Sequence, residues 1–271
     1  MKKRFLLIPI FAFGIIYSCA TNPFTGKSTL ALVPDSQILP SAFQQYDAFL
    51  KENKVVTGTA DANRVVTVGT KIKNAAEKYL NANGYQGYLK DYKWEYKLVD
   101  SKEVNAWCMP GGKIVFYTGI LPITKDETGM AVVMGHEVAH ALLNHGQQRM
   151  SSDVLTQLGA AGVGVATGGK SEATQQIAMQ AYGVGAQYGV ALPFSRSHET
   201  EADKVGLTLM AIAGYNPEQS IAFWERMAAQ GGGGTPEFMS THPANATRIA
   251  NLRALIPQAK ADAAKFGVTF K

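Results

Sequence analysis

His136 and His140 stand four residues apart inside a run, residues 126–145, that is otherwise largely apolar: Met130, Val132, Val133, Ala139, Leu142 and Leu143 recur along it. Asp126 and Glu127 open this run and Gly146 follows it, so the segment reads as one strong helix. Four residues of α-helix turn through about 400°, which puts the two imidazoles roughly 40° apart on one face, one turn separated. A histidine pair with the carboxylate of Glu137 is costly inside an apolar helix unless the groups hold a metal ion or one another. Two imidazoles so placed can grip one zinc ion at about 2.0–2.1 Å. Glu137, next along the helix, reaches a water beside the metal rather than the metal itself, and can take its proton as the water attacks a peptide carbonyl.

A catalytic zinc needs a third protein ligand and an open fourth position. His145 lies five residues after His140, about 140° further round the helix, and so points away from the metal face. It also misses the H-E-x-x-H-x-x-G-x-x-H spacing, and reads as a helix-end histidine favoured by the helix dipole. The better candidate lies in Ser195-Arg196-Ser197-His198-Glu199-Thr200-Glu201-Ala202-Asp203. Glu199 and Asp203 are i, i+4 on one face. One carboxylate can ligate zinc while the other accepts the free N–H of a ligating histidine and orients its ring. Glu201 is the rival ligand.

Of 271 residues, 46% are hydrophobic and 17% charged, enough to bury a core and too apolar for a disordered chain. Residues 1–18 have the form of an export signal: Lys2, Lys3 and Arg4, then an apolar run from Phe5 to Ile16 broken by Pro9 and Gly14. The run is short for a permanent bilayer span. It leads into Ile16-Tyr17-Ser18-Cys19, which resembles the lipobox of bacterial lipoproteins and marks Cys19 for lipidation; an ordinary cleaved signal with Cys19 incidental is the alternative. Loss of residues 1–18 takes the formal charge from +5 to +2. With no Lys/Arg run the chain lacks the electrostatic footprint of a nucleic-acid partner. Once Cys19 is acylated, Cys108 has no intrachain disulfide partner and reads as a small buried hydrophobe rather than a reactive thiol.

Residues 19–33 read as a polar, turn-rich tether. Helical spacing is expected over 34–53 and 61–80, strands at 94–99 and 113–117 with the turn Pro110-Gly111-Gly112 before the second, and helices at 197–213, from Pro217 to Gln230 and from Asn245 to Ile256. Gly231–Gly234 reads as a flexible loop. Residues 154–191, rich in Ala, Gly and Val, predict two close-packed helices with a flexible tip at Gly168–Glu172; the Gly/Ala-rich stretch 158–192 packs as ordinary scaffold or forms a lid or membrane-facing element. Without βαβ alternation, the expected fold class is α+β, mostly α, with a small antiparallel sheet beside the active-site helix. The peptidase domain is expected over 34–256, with 257–271 a C-terminal tail.

His136-Glu137-x-x-His140, Ser195-Arg196-x-x-Glu199-x-Glu201-Ala202-Asp203 and Thr241-His242-Pro243 with Arg248 together resemble the M48 family of metallopeptidases. More narrowly the chain is similar to the bacterial envelope lipoproteins of that family, relatives of the mitochondrial inner-membrane protease of the Oma type. The resemblance covers about residues 60–256 and the Asn22-Pro23-x-Thr25-Gly26 segment. It implies a zincin-like fold with one zinc ion held by His136, His140 and Glu199, Glu137 as base and Asp203 behind the ligands. It also implies that Asn105, Ala106, Pro110 and Gly111 belong to an edge strand and turn beside the cleft, where an extended substrate can add as a strand with little sequence preference. By the same resemblance His242 lies near the metal, either donating to a developing oxyanion with help from Arg248 or capping the zinc in a latent state. The expected substrates are unfolded or misassembled envelope proteins, and the expected site is a periplasm-facing membrane. Ala20 after Cys19, in place of the Asp that retains lipoproteins at the inner membrane in enterobacteria, favours the outer one. Within its 271 residues the chain shows no helical-repeat domain after the protease, so a role in docking to the outer-membrane assembly machinery is not carried over. The rival class is a chaperone-like lipoprotein that binds unfolded clients on its edge strand, with proteolysis secondary or latent; another zinc hydrolase, such as an amidase, is a weaker one.

Overall fold

The computed structural model describes residues 19–231, 237–243 and 246–270. The expected signal at 1–18, most of the 231–234 loop and Asn245 fall outside them. The chain divides into two compact units, Met1–Ile38 with Asn144–His198 and Leu39–Leu143 with Glu199–Lys271.

The second unit holds a four-stranded sheet, built from β3 (Val55–Val56), β4 (Glu95–Val99), β5 (Ala106–Met109) and β6 (Lys113–Tyr117), in the order β3-β4-β6-β5. β6 reads Lys-Ile-Val-Phe-Tyr and is buried at every position, as a strand covered on both faces must be. The expectation of an antiparallel sheet is corrected here: the sheet is mixed. β5 and β6 form an antiparallel hairpin, but β4 runs parallel to β6, Glu95 opposite Lys113 and Val99 opposite Tyr117. The link after β4 carries the chain to the far edge, so β5 lies outside β6 instead of between β4 and β6. Gly111 and Gly112 make the β5–β6 turn at φ of +85° and +82°, a region closed to most side chains.

Helix α1 (Asp35–Glu52) sets Tyr46 and Phe49 against Trp107 and Tyr117 of the sheet. Helix α2 (Ala60–Ala82), capped by Thr59, whose Oγ1 accepts from the Ala62 amide at 3.1 Å, packs on β4. Helix α3 (Glu127–Leu142) starts at Asp126, whose carboxylate accepts from the Gly129 amide at 2.9 Å, and lies against α2 and β5. Almost all of α3 is buried. It stops sooner than expected: Asn144 takes a left-handed conformation (φ 57°) and His145 begins a new helix, α4 (His145–Thr167). His145 is therefore not a C-terminal histidine stabilised by the dipole of α3.

The first unit contains α4, α5 (Glu172–Ala186) and a π-helical turn at Gln187–Ala191. The π-turn leads into α6 (Leu192–Ile212), which continues past His198 as part of the second unit. The close-packed pair with a tip is present: Tyr182 Oη donates to the Thr156 carbonyl at 2.8 Å across it. His145 and His198 stack at 3.9 Å between ring centroids, both buried. Residues of the expected tether instead form a hairpin, β1 (Cys19–Thr21) with β2 (Ser28–Leu30), turned by the Asn22–Gly26 segment. It is tied to α4 where the Leu32 amide donates to Ser151 and Gln147 donates to the Val33 carbonyl.

Helices α7 (Gln219–Ala228), α8 (Glu237–Thr241) and α9 (Ala246–Ala264) complete the second unit. The last helix was expected to stop at Ile256. It passes through Pro257, with Ala259 and Ala263 buried beyond it.

Candidate metal centre

All seven residues expected at the centre lie in the second unit. Helix α3 presents His136 and His140, α6 presents Glu199 and Asp203, the end of α8 presents His242, and α9 presents Arg248. Helices α3 and α6 approach closely because Gly135, just before His136, faces Gly206: a Cβ on either would meet the other's backbone at 2.7–2.8 Å.

The His136 and His140 Nε2 atoms are 3.1 Å apart, and each lies 3.3 Å from an oxygen of Glu199. His242 Nδ1 is 3.1 Å from His136 Nε2 and 2.9 Å from Glu199 Oε2. One ligand atom from each of the four residues falls within 4.8 Å of the other three. A tetrahedron with bonds of 2.0–2.1 Å has edges of about 3.3–3.4 Å, so this donor set of three imidazoles and a carboxylate fits zinc. Glu201, the rival ligand, is not among the converging residues.

Behind the ligands, His136 Nδ1 lies 3.0 Å from Asp203 Oδ1, an arrangement in which Nδ1–H donates and the Nε2 lone pair is left for a metal. Arg248 clamps Asp203 with two bonds, Nε to Oδ2 at 2.8 Å and Nη2 to Oδ1 at 2.6 Å. Its Nη1 contacts Glu199 at 3.3 Å and the Pro243 carbonyl at 3.4 Å, and its plane lies 3.6 Å above the Trp224 ring. The guanidinium is thus committed to the carboxylates and the Pro243 carbonyl.

Charge is concentrated in this buried cluster. Burial and Arg248 oppose protonation of His136, but its bonds to Asp203 and Glu199 outweigh them and raise its pKa to about 9. Burial, with His136 and His242 nearby, lowers His140 to about 3 despite its bond to Glu199. Burial would raise Glu199, yet hydrogen bonds from three histidines hold it far below the usual carboxylate range. Asp203 is likewise lowered against burial by Arg248 and His136. Glu137 goes the other way: burial raises its carboxyl, and its Oε1, buried and without a hydrogen bond, lies 3.4 Å from His242 Nε2.

β5 lies at the open end of the sheet among the described residues. The Tyr117 amide donates to the Asn105 carbonyl at 3.1 Å, so residues 105 and 107 bond inward to β6 and the backbone groups of Ala106 and Cys108 face the open edge. The Asn105 side chain accepts from the Ala106 amide at 2.8 Å. Pro110 and Gly111 lie in the turn that follows. Burial and the nearby charge of Glu137 push the Cys108 thiol well above its ordinary pKa, so it is no thiolate. Trp224 is the site residue that the sequence reading missed; no motif marks it, only its place on a buried helix face.

Residues 70–256 match the family described as Peptidase family M48. The chain belongs to peptidase family M48. Its M48 relatives include the mitochondrial metalloendopeptidase OMA1 of Schizosaccharomyces pombe, 36% identical over 174 residues, which cover 64% of this chain and 49% of that one. The human mitochondrial metalloendopeptidase OMA1 is 29% identical over 274 residues, 95% of this chain and 51% of the relative. The beta-barrel assembly-enhancing protease of Escherichia coli is 27% identical over 166 residues, 59% and 34%. The chain spans about half the length of the mitochondrial relatives it matches. Its mostly helical fold with a small mixed sheet is that of an M48 zincin-like α+β domain.

Proposed function

We propose that this chain is a zinc-dependent endopeptidase of the bacterial cell envelope, tethered through a lipid on Cys19 and acting on unfolded or misassembled envelope proteins. One observation carries the catalytic part: ligand atoms of His136 and His140 on α3 and of Glu199 on α6 converge at tetrahedral spacing, and the carboxylate that follows His136 on α3, Glu137, has a buried Oε1 without a hydrogen bond. His136, His140 and Glu199 hold the zinc, which when bound supplies Lewis acidity toward water and a peptide carbonyl. Glu137 takes the proton of the attacking water and returns it to the leaving amine; its burial raises its basicity for that role. Asp203 orients His136, and Arg248 acts by positioning Asp203. The open edge of β5, at the Ala106 carbonyl and the backbone groups of Cys108, pairs with extended substrate backbone, and the Pro110–Gly112 turn bounds that edge. Pairing through main-chain atoms alone suits unfolded clients of varied sequence.

The envelope placement is supported by the Ile16–Cys19 lipobox and by the likeness to a bacterial relative named for β-barrel assembly. His242 favours a latent state. A site with four protein ligands is closed, whereas catalysis needs an open position, and His242 lies at ligand distance while also facing Glu137. In this reading the enzyme opens when His242 withdraws.

Casein cleavage by the purified chain tests the proposal. Cleavage is expected in the wild type and not in Glu137→Gln. A cellular phenotype that survives Glu137→Gln while cleavage is lost would favour client binding as the function.

A further inference from the structure

The hairpin of α4 and α5 is built inside-out. The buried residues of α4 are polar, His145, Gln147, Gln148 and Ser151, while α5 and the π-turn bury none. Of the twelve large hydrophobic side chains exposed among the described residues, ten lie between Met150 and Val190. Met150, Val154, Leu158 and Val165 fall within about 80° of one another on the α4 helix, and Val165 is 86% exposed. On the second arm Ile177, Val184 and Tyr188 recur at seven and four residues, Ile177 67% exposed. Residues 154–169 and 173–195 contain no Asp, Glu, Lys or Arg, and the charges fall at the tip, Lys170 and Glu172, and near the base, Arg149, Asp153 and Arg196. Water is a poor solvent for such a face, and a contiguous patch of this kind marks an interaction surface.

The occupant follows from where the N-terminal segment joins. The apolar run Phe5–Ile16 ends three residues before β1, and the β1–β2 hairpin is bonded into this same unit. The Leu32 amide donates to Ser151 at 3.0 Å, and Gln147 donates to the Val33 carbonyl and to Asp35 at 2.8 and 3.0 Å. Whatever brings residues 1–19 to a bilayer therefore brings α4 and α5 with them. No helix of the described residues is long and apolar enough to cross a membrane, so the fitting geometry is a hairpin lying in the headgroup–acyl boundary with its apolar face down. We propose that the α4–α5 hairpin docks on a lipid bilayer through Met150, Val154, Leu158, Val165, Ile177 and Val184. The proposal rests on the envelope reading only for placing a bilayer beside this unit.

The test uses the full chain with vesicles of phosphatidylethanolamine and phosphatidylglycerol whose acyl chains carry bromine, a contact quencher of tryptophan. Val165→Trp and Ile177→Trp report the hairpin, and Tyr85→Trp, at an exposed position of the other unit, is the control; emission is read as the difference from wild type. At least twofold quenching of the tryptophans at 165 and 177, with none at 85, is expected. Vesicle flotation without quenching at 165 and 177 leaves the anchor standing and overturns hairpin docking. Flotation and quenching that persist in Cys19→Ala support docking by the hairpin independently of any lipid on Cys19. A chain that does not float at all, or a concentration-dependent dimer abolished by Val165→Asp in place of quenching, overturns the proposal.

Discussion

Glu137 and His242 face each other at 3.4 Å across the ligand cluster, and this pair sets the strongest residue-level expectations. Glu137→Gln keeps the shape but not the base, so peptide cleavage should fall by about 10²–10⁴-fold with zinc content unchanged; a fall that tracks zinc loss would assign Glu137 to metal binding. His242→Ala removes the fourth ligand atom but leaves three, so basal cleavage should rise with zinc retained. Lost cleavage would instead make His242 an oxyanion donor. The pH dependence follows from His136 and His140. Metal binding needs neutral imidazoles; His140, lowered to about 3, is already neutral, whereas His136, raised to about 9, holds a proton that zinc must displace. Zinc affinity should therefore fall about tenfold per pH unit on acidification from 8 to 6, measured by competition with a chelator, and a flat profile would contradict the assignment. The helix pitch already placed His136 and His140 together, because i, i+4 spacing is local. Glu199 and Asp203 shared a face for the same reason. The way Arg248 is held between Asp203, Glu199 and Trp224 was not legible, since it depends on packing between residues far apart in the chain.

Between elements, the site depends on the crossing of α3 and α6 at Gly135 and Gly206, where there is no room for a Cβ. Gly206→Ala forces backbones apart, and overpacking of this kind costs about 1–3 kcal/mol. Chemical denaturation should show that loss, together with weaker zinc binding as Glu199 moves from the histidines; unchanged zinc affinity would show that the crossing does not set ligand spacing. Helix existence was readable from apolar periodicity and from caps such as Asp126. The sheet was misread because β5 and β6 look like a simple meander with β4. The parallel β4–β6 pairing is decided by which strand buries both faces, a tertiary matter. The break at Asn144 was missed because a non-glycine residue takes the left-handed position, and α9 outran Pro257 because apolar residues beyond it are buried.

For the whole molecule, the sequence between His140 and Glu199 leaves one compact unit and returns to it, and the excursion joins the N-terminal strands in a unit of its own. Composition showed the excursion as charge-poor; that its apolar side chains point outward required the structure. If Cys19 carries a lipid, labelled palmitate should incorporate into the wild type and not into Cys19→Ala; incorporation that survives the substitution would remove the anchor. The central claim is that His136, His140 and Glu199 hold one zinc ion, and elemental analysis of zinc per chain tests it most directly. About one zinc per chain is predicted for the wild type and for Glu201→Ala, and close to none for Glu199→Ala. A wild-type chain that stays well below one after zinc is supplied, or a loss confined to Glu201→Ala, would contradict the account.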